Sequence, residues 1–168
     1  MPIADSLLPE FDHEMATTRT LLARVPEADF AWTPHQKSFP LGSLSLHVAH
    51  LPLWGLHVLE GTSLELDDPA LAELVKPKIP ATKEELLAEF DRNAKRARAT
   101  LAKATDAEYL APWTLKKGGH AIFTLPRISS IRSFMMNHLI HHRGQLSVYL
   151  RLRNVPLPPI YGPTADEQ

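Results

Sequence analysis

The most informative stretch of this sequence is Asn137-His138-Leu139-Ile140-His141-His142-Arg143-Gly144-Gln145. His138 and His142 are four residues apart, so a helix places both side chains on one face, one turn apart. That spacing lets two imidazoles reach one metal ion at the usual Zn–N distance of about 2.0–2.1 Å. A helix is expected because apolar residues recur at the helical period and the two histidines continue their stripe. The stripe comprises Ile128, Ile131, Met135, His138, His142, Gln145 or Leu146, and Tyr149.

Both histidines therefore take positions on the core face that would otherwise be apolar. A buried polar group without a hydrogen-bond partner costs on the order of 1–3 kcal/mol, so two such groups on one face suggest a shared partner. Hydrogen bonding of each ring to a neighbour in the core is the competing interpretation. The helical zinc-protease motif is excluded, because Leu139 rather than a glutamate follows His138.

A third imidazole can come from an earlier helix, in which His47 shares the inner face with apolar side chains such as Trp54. Two ligands from one helix and one from another can build a metal site in a helical bundle. His50 and His141 compete for this role, since each lies three residues from a candidate ligand. Three neutral nitrogens leave a coordination position open, which is typical of a catalytic site. Zinc is the first expectation, although imidazole also suits nickel, iron and copper.

Four helical segments and no strands are predicted along the chain. Thr82 and Glu85 form a capping box at the start of the third segment, and Pro126 suits the first turn of the fourth. Pro52 lies inside the second segment and removes one helical hydrogen bond, which predicts a kink or break just after His47. The segments run over Ser6–Arg24, from Leu41 or Ser43 to Gly61, from Thr82 to about Ala104, and over Pro126–Leu152.

Two long connections, Thr62–Pro80 and Thr105–Arg127, follow the second and third helices. A short helical turn over Pro69–Val75 is expected in the first, and a turn at Gly118-Gly119-His120 in the second. Connections of this length are often functional. The expected fold class is therefore all-α, a four-helix bundle with long connections after helices 2 and 3. We expect a single domain over residues 1–168.

The composition narrows the classes of function. The chain has 168 residues, 44% of them hydrophobic, and a net charge of −1. This balance argues against a nucleic-acid partner, which normally requires a basic surface. The absence of cysteine excludes disulfides and thiolate metal sites. The acidic N-terminus and the lack of about 20 consecutive apolar residues predict neither a signal peptide nor a membrane segment, so a cytoplasmic location is expected.

Three stretches of the chain resemble the DinB family, the DinB/YfiT-like metalloenzymes of bacteria that are induced by DNA damage. The first is Leu41–His47 followed by Pro52 and Trp54. The second is His138-x-x-x-His142-Arg143-Gly144-Gln145-Leu146, which runs on to Tyr149-Leu150-Arg151. The third is the tail, Val155–Pro163.

The resemblance implies a four-helix bundle with a three-histidine metal site at His47, His138 and His142, and often a homodimer. The expected cofactor is a divalent metal, zinc or nickel first and iron or manganese next. Some relatives are transferases or isomerases in which the metal activates a low-molecular-weight thiol toward an electrophilic small molecule. The expected function is therefore a metal-dependent, thiol-using transferase or isomerase. The alternatives are a non-catalytic, stress-related protein that binds a metal or small ligand, and a metal-free structural bundle.

Several neighbours of the three histidines are candidates for supporting roles. His50, His141 and Gln145 are expected to contact the ligands rather than the metal, and Gln145 could orient His142, since ligating imidazoles donate their free N–H to a neighbour. Arg143 is expected to form an interhelical ion pair, with binding of a substrate carboxylate as the alternative. Gly144 either allows a close helix approach or is simply a tolerated helix glycine.

Overall fold

The chain forms a helical body with a small sheet attached to it. The computed structural model describes residues 1–71 and 78–167, without the side chain of Ala70. A π-helical segment, Arg132–Asn137, joins the last two helices without a break. The helices are α1 (Ile3–Leu22), α2 (Leu41–His50), α3 (Leu53–Glu60), α4 (Lys83–Lys103), α5 (Asp106–Leu110), α6 (Arg127–Ile131) and α7 (His138–Leu152), and the strands are β1 (Ser63–Glu65), β2 (Pro112–Lys117) and β3 (His120–Pro126).

The helical body surrounds one hydrophobic core. α4 packs against α1, α2 and α3, while α7 packs against α1 and α2. α1 and α4 bury the faces that their apolar periods predicted, because burying such a face removes apolar surface from water. In α7 the buried face is shifted by one residue from the predicted stripe, to Leu139, Arg143, Leu146 and Leu150, so His138 and His142 lie at its edge and are half-buried. The fully buried side chains of this core include Phe11, Leu22, Leu44, Phe90, Leu101, Ile131 and Leu146.

The second predicted helix is interrupted at Pro52, where α2 gives way to α3. The predicted break is confirmed, although it lies beyond His50 and not directly after His47. The Leu51 N–H still donates to the His47 carbonyl, at 3.1 Å. Pro52 has no N–H to donate, and the next bond is of the shorter i to i+3 kind, from Trp54 to Leu51. His47 therefore lies on an intact helical turn.

The third predicted helix begins where its capping signal placed it. The Thr82 hydroxyl accepts a hydrogen bond from the Glu85 N–H at 3.2 Å, and α4 follows directly. The Glu85 carboxylate accepts the N–H of Ala81, at 2.8 Å, instead of that of Thr82. The cap thus satisfies two backbone donors with a shift of one residue.

The predicted all-α fold class is wrong, because the two long connections contain strands. In the described part of the chain, β1, β2 and β3 form one mixed sheet in that order. β1 runs parallel to β2, with Leu64 opposite Leu115, and β2 runs antiparallel to β3, with Trp113 opposite Leu125. The molecule is therefore an α/β structure in which the connections after the second and third predicted helices pair with each other.

The β2–β3 hairpin turns at two glycines in the left-handed region. Gly118 has φ +58° and Gly119 has φ +77°, values that L side chains rarely adopt and that suit a tight hairpin. The Glu65 carboxylate of β1 accepts both glycine N–H groups, at 3.0 and 2.9 Å. The turn expected at Gly118-Gly119-His120 is thus confirmed, but as the tip of a hairpin.

Aromatic rings join the sheet to the π-helical segment. The Phe123 ring of β3 stacks on the Phe134 ring at 4.9 Å between centroids, and the Trp54 ring of α3 lies 6.3 Å from that of Phe134. α3 also approaches closely at Gly55, where an added Cβ would lie 2.8 Å from the Met135 sulfur. The π-helical segment is therefore packed between α3 and the sheet.

The first connection also contains a short 3-10 turn at Pro69–Leu71. The rest of the turn expected over Pro69–Val75 lies outside the described residues. Within residues 1–71 and 78–167, none of the helices has the length and apolarity that a bilayer-spanning segment requires.

Candidate metal centre

Three imidazole rings from two helices meet in the body of the protein. His47 comes from α2, and His138 and His142 come from successive turns of α7. The Nε2 atoms of His138 and His142 lie 2.9 Å apart, and those of His47 and His138 lie 3.4 Å apart. Among the described histidines and carboxylates, these three form the group that could hold a metal ion, with one ligand atom from each within 4.8 Å of the others. All three rings are half-buried.

The π-helical segment ends where His138 begins α7. Single π turns inside α-helices are found frequently at functional sites, and they are one of the causes of helix kinks. The Phe134 backbone carbonyl in this segment accepts a hydrogen bond from the His138 ring. Since Nε2 of His138 faces the other two histidines, this bond leaves from the opposite ring nitrogen, Nδ1.

Gln145 bonds to the ring of His142, as the Phe134 carbonyl does to the ring of His138. Its Oε1 lies 2.7 Å from His142 Nδ1, and its Nε2 lies 3.1 Å from His141 Nε2. An amide oxygen only accepts and an amide nitrogen only donates, which assigns the His142 proton to Nδ1. Gln145 thus contacts His142, and His141 is the next group in the chain of hydrogen bonds. That Gln145 orients a metal ligand stays a prediction.

The surroundings keep the three rings neutral. Burial lowers the pKa of His47 to about 4, with further contributions from His142 and His138. Burial is also the main cause of the lowered pKa of His138 and of His142, and the Phe134 and Gln145 bonds oppose it only in part. At neutral pH all three imidazoles therefore carry a lone pair on one nitrogen.

The arrangement of lone pairs suits a cation. With their Nδ1 protons held by Phe134 and Gln145, both His138 and His142 turn an Nε2 lone pair toward the other at 2.9 Å. Two lone pairs at that distance repel each other unless a positive charge lies between them. Nitrogens at about 2.05 Å from an ion are separated by about 2.9 Å at right angles and by about 3.3 Å at tetrahedral angles. The observed separations of 2.9 and 3.4 Å fit those values.

His50 is not part of the cluster, and it does not hydrogen-bond to His47 or its two companions. Its Nε2 pairs with Glu89 of α4, and its Nδ1 is buried without a partner among the described residues. Its link to the site is electrostatic, since it adds to the lowering of the His47 pKa. Glu89 carried no sequence signal for this pairing, because it lies on a charged helix face.

Arg143 forms the interhelical ion pair that was expected. Its side chain is 2% exposed, and Nη1 lies 2.6 Å from a carboxylate oxygen of Glu14 on α1. It is therefore directed away from solvent and is not available to a substrate carboxylate. Gly144 is exposed, and no described atom lies within 4 Å of the position a Cβ would take, outside its own helix backbone and chain neighbours. The interpretation of Gly144 as a site of close helix approach is not supported.

One residue beside the cluster was missed at the level of sequence. The Phe39 ring lies 6.2 Å from the His47 ring between centroids, and Phe39 is 54% exposed. It precedes α2 in a loop rich in proline, where no periodicity indicates which way a side chain faces. It provides an apolar surface next to the metal-binding candidates.

Comparison with known proteins identifies the family. The sequence profile of the DinB superfamily matches residues 10–146, which is most of the chain. The chain belongs to the DinB superfamily. The resemblance carried by the histidine motifs is thereby confirmed. No curated protein matches this superfamily member at a significant level.

Solved structures of other DinB-like proteins share the fold. A DinB-like protein of Bacillus subtilis has a TM-score of 0.69 at 18% identity, and the match covers 94% of this chain and 98% of that one. A DinB-like protein of Bacillus cereus gives the same TM-score and identity, with 95% and 98% covered. At this level of identity the likeness concerns the fold alone.

Proposed function

We propose that this DinB-superfamily protein binds one divalent metal ion through His47, His138 and His142 and uses it in a thiol-dependent transfer or isomerisation. The observation that carries the proposal is the convergence of three imidazoles, with the Nε2 atoms of His138 and His142 2.9 Å apart and those of His47 and His138 3.4 Å apart. Zinc or nickel is the first candidate, with iron or manganese next; imidazole ligands suit zinc, nickel and iron. When bound, such an ion lowers the pKa of a thiol or water ligand.

The donor set supports a site that can accept a substrate. His50 is engaged with Glu89, and His141 is engaged with Gln145, so neither is held as a fourth ligand. A closed structural zinc site has four protein ligands, whereas a catalytic site has three and leaves room for another. This difference favours an enzyme over a protein that only stores or senses metal.

The residues around the triad have separate tasks in this proposal. Gln145 and the Phe134 carbonyl keep protons on the Nδ1 atoms of His142 and His138, so both Nε2 lone pairs stay available. Phe39 offers an apolar surface beside His47 for the body of an electrophilic substrate. The thiol and electrophile classes come from the resemblance, as does the homodimer that we propose for this chain.

Cobalt substitution tests the proposal. Co²⁺-loaded wild-type protein is titrated with low-molecular-weight thiols, and sulfur-to-cobalt charge-transfer absorption reports a thiol at the metal. The same protein is then assayed for thiol consumption with a panel of electrophiles. We expect both signals in wild type and neither in His138→Ala.

Two results would count against the proposal in different ways. Tight metal binding with no thiol absorption and no turnover would replace the enzyme with a metal-binding protein. Failure of wild type to bind Co²⁺, Zn²⁺ or Ni²⁺ would remove the metal site and leave a structural bundle with hydrogen-bonded histidines.

A further inference from the structure

We propose that Tyr161, in the C-terminal tail, is a positioning residue for the three-histidine site and acts through the buried Arg143–Glu14 ion pair. Tyr161 does not touch His47, His138 or His142, and its effect reaches His142 through the adjacent Arg143. This inference rests on the proposed metal site and gives a role to Tyr161, which lies in the tail segment Val155–Pro163 of the resemblance but outside the triad.

The ion pair is buried and closely hydrogen-bonded. The Arg143 and Glu14 side chains are 2% and 6% exposed, and Nη1 of Arg143 lies 2.6 Å from Glu14 Oε2. The same nitrogen also donates to the Glu14 carbonyl and to the Thr18 hydroxyl, each at 3.2 Å. Arg143 therefore ties α7 to one turn of α1 through several bonds. Removing one partner of a buried charge pair is strongly destabilising, and an unsatisfied polar group in such a network is costly because the local dielectric is low.

The Tyr161 hydroxyl completes this network from the outside. It accepts from Arg143 Nη2 at 2.6 Å and donates toward the Glu14 carboxylate oxygens at 2.9 and 3.0 Å. Burial and the bond to Glu14 raise the pKa of Tyr161, so the hydroxyl keeps the proton that it donates. The Tyr161 hydroxyl thus hydrogen-bonds to both Arg143 and Glu14, the two members of the ion pair.

The tail that carries Tyr161 is anchored independently. Asp166 pairs with Arg151 of α7, with a shortest distance of 2.5 Å, and also accepts the Leu157 N–H at 2.9 Å. Glu167 pairs with Arg24, at 2.5 Å. These contacts hold the tail against the end of the helical body, so Tyr161 is presented to the ion pair in a defined position.

The Tyr161–Glu14–Arg143 network contacts α7 beside His142, where the position of the helix sets the position of a ligand. Arg143 directly follows His142, and the helix before His138 is π-helical rather than a continuous α-helix. A π segment is one of the places where a helix can bend, so a second fixed point beyond the ligands would hold the direction of α7. A metal site requires its ligands to be held within about 0.5 Å. The Tyr161–Glu14–Arg143 network is the fixed point that lies next to His142.

Two tyrosine-to-phenylalanine variants of the full chain test this role. Tyr161→Phe removes the hydroxyl from the network, whereas Tyr149→Phe removes one that has no hydrogen-bond partner among the described residues and serves as the control. Co²⁺ affinity is measured by competition with a chelator, and the cobalt absorption spectrum reports the ligand geometry. Nitrogen-15 shifts of the His142 ring are recorded in metal-free protein.

We expect Tyr161→Phe to weaken Co²⁺ binding about tenfold, the low end for residues that support metal ligands, and to shift both the cobalt spectrum and the His142 resonances. Tyr149→Phe should leave all three unchanged. A Tyr161→Phe protein that melts earlier but keeps wild-type affinity, spectrum and ring shifts would overturn the inference. If wild type itself binds no metal, the proposed function fails, and unchanged His142 shifts in metal-free Tyr161→Phe then overturn the inference separately.

Discussion

Gln145 Oε1 lies 2.7 Å from His142 Nδ1, and the same amide donates to His141 from its other end. One exposed glutamine thereby sets the tautomer of His142 and aligns its ring with that of His138. Because the glutamine touches no other ligand, its contribution can be separated from the metal-nitrogen bonds themselves.

Replacing Gln145 with alanine is expected to reduce metal affinity by about 10- to 100-fold. The His142 ring would then rotate more freely and its Nδ1–H would lose its acceptor. Competition with a chromophoric chelator measures the change. Ser147→Ala is the control, since among the described residues the Ser147 hydroxyl bonds only to the Gly144 carbonyl of its own helix. Equal affinities for wild type and Gln145→Ala would show that the glutamine has no part in the site.

The stability of the metal-free protein is expected to depend on pH through His47. Burial lowers its pKa from the ordinary 6.5 to about 4, while the unfolded chain keeps the ordinary value. Between these values the unfolded state binds more protons, so the free energy of unfolding rises with pH across that window. The contribution of His47 to the free energy of unfolding is therefore fully present above pH 6.5 and is lost as the pH falls toward about 4.

Urea unfolding in the presence of a chelator, at steps between those two pH values, measures this dependence. His47→Gln should flatten the slope without abolishing it, because burial also lowers the pKa of His138 and His142. Identical slopes in wild type and His47→Gln would mean that His47 is not held neutral by its surroundings.

Gly144→Ala is expected to stabilise the protein. The residue is exposed within α7, and no described atom outside its own helix backbone and chain neighbours lies within 4 Å of the added Cβ. Alanine lowers the backbone entropy of the unfolded chain, which is worth about 0.5–1 kcal/mol in a helix. Urea unfolding should show this gain, with metal affinity unchanged. A loss of stability would instead indicate that another surface packs against Gly144.

The helices and the histidine pair could be predicted because both rest on local periodicity. The i, i+4 spacing of His138 and His142 is enough to place them on one face. The choice of His47 over His50 could not be made in this way, since residues three apart share much of a helix face. The resemblance favoured His47, and His50 is engaged by Glu89 of another helix, a contact that no local pattern reveals.

The sequence did not predict the sheet, because its first strand is short and pairs with a strand far along the chain. β1 has three residues, and Leu64 pairs with Leu115 far along the chain. The alternation of buried Trp113 and Leu115, followed by two glycines, did carry a hairpin signal. The π-helical segment has no comparable signature, although Phe123 of the sheet packs on it and its Phe134 carbonyl orients His138.

Metal content per chain tests the central claim most directly. Wild type, His138→Ala and His141→Ala are loaded with Zn²⁺ or Ni²⁺, freed of excess metal and measured by elemental analysis, with melting temperature recorded alongside. We predict one ion per chain in wild type and in His141→Ala, none in His138→Ala, and a rise in melting temperature only where metal is retained. Wild type without metal, or His138→Ala with as much metal as wild type, would contradict the three-histidine site.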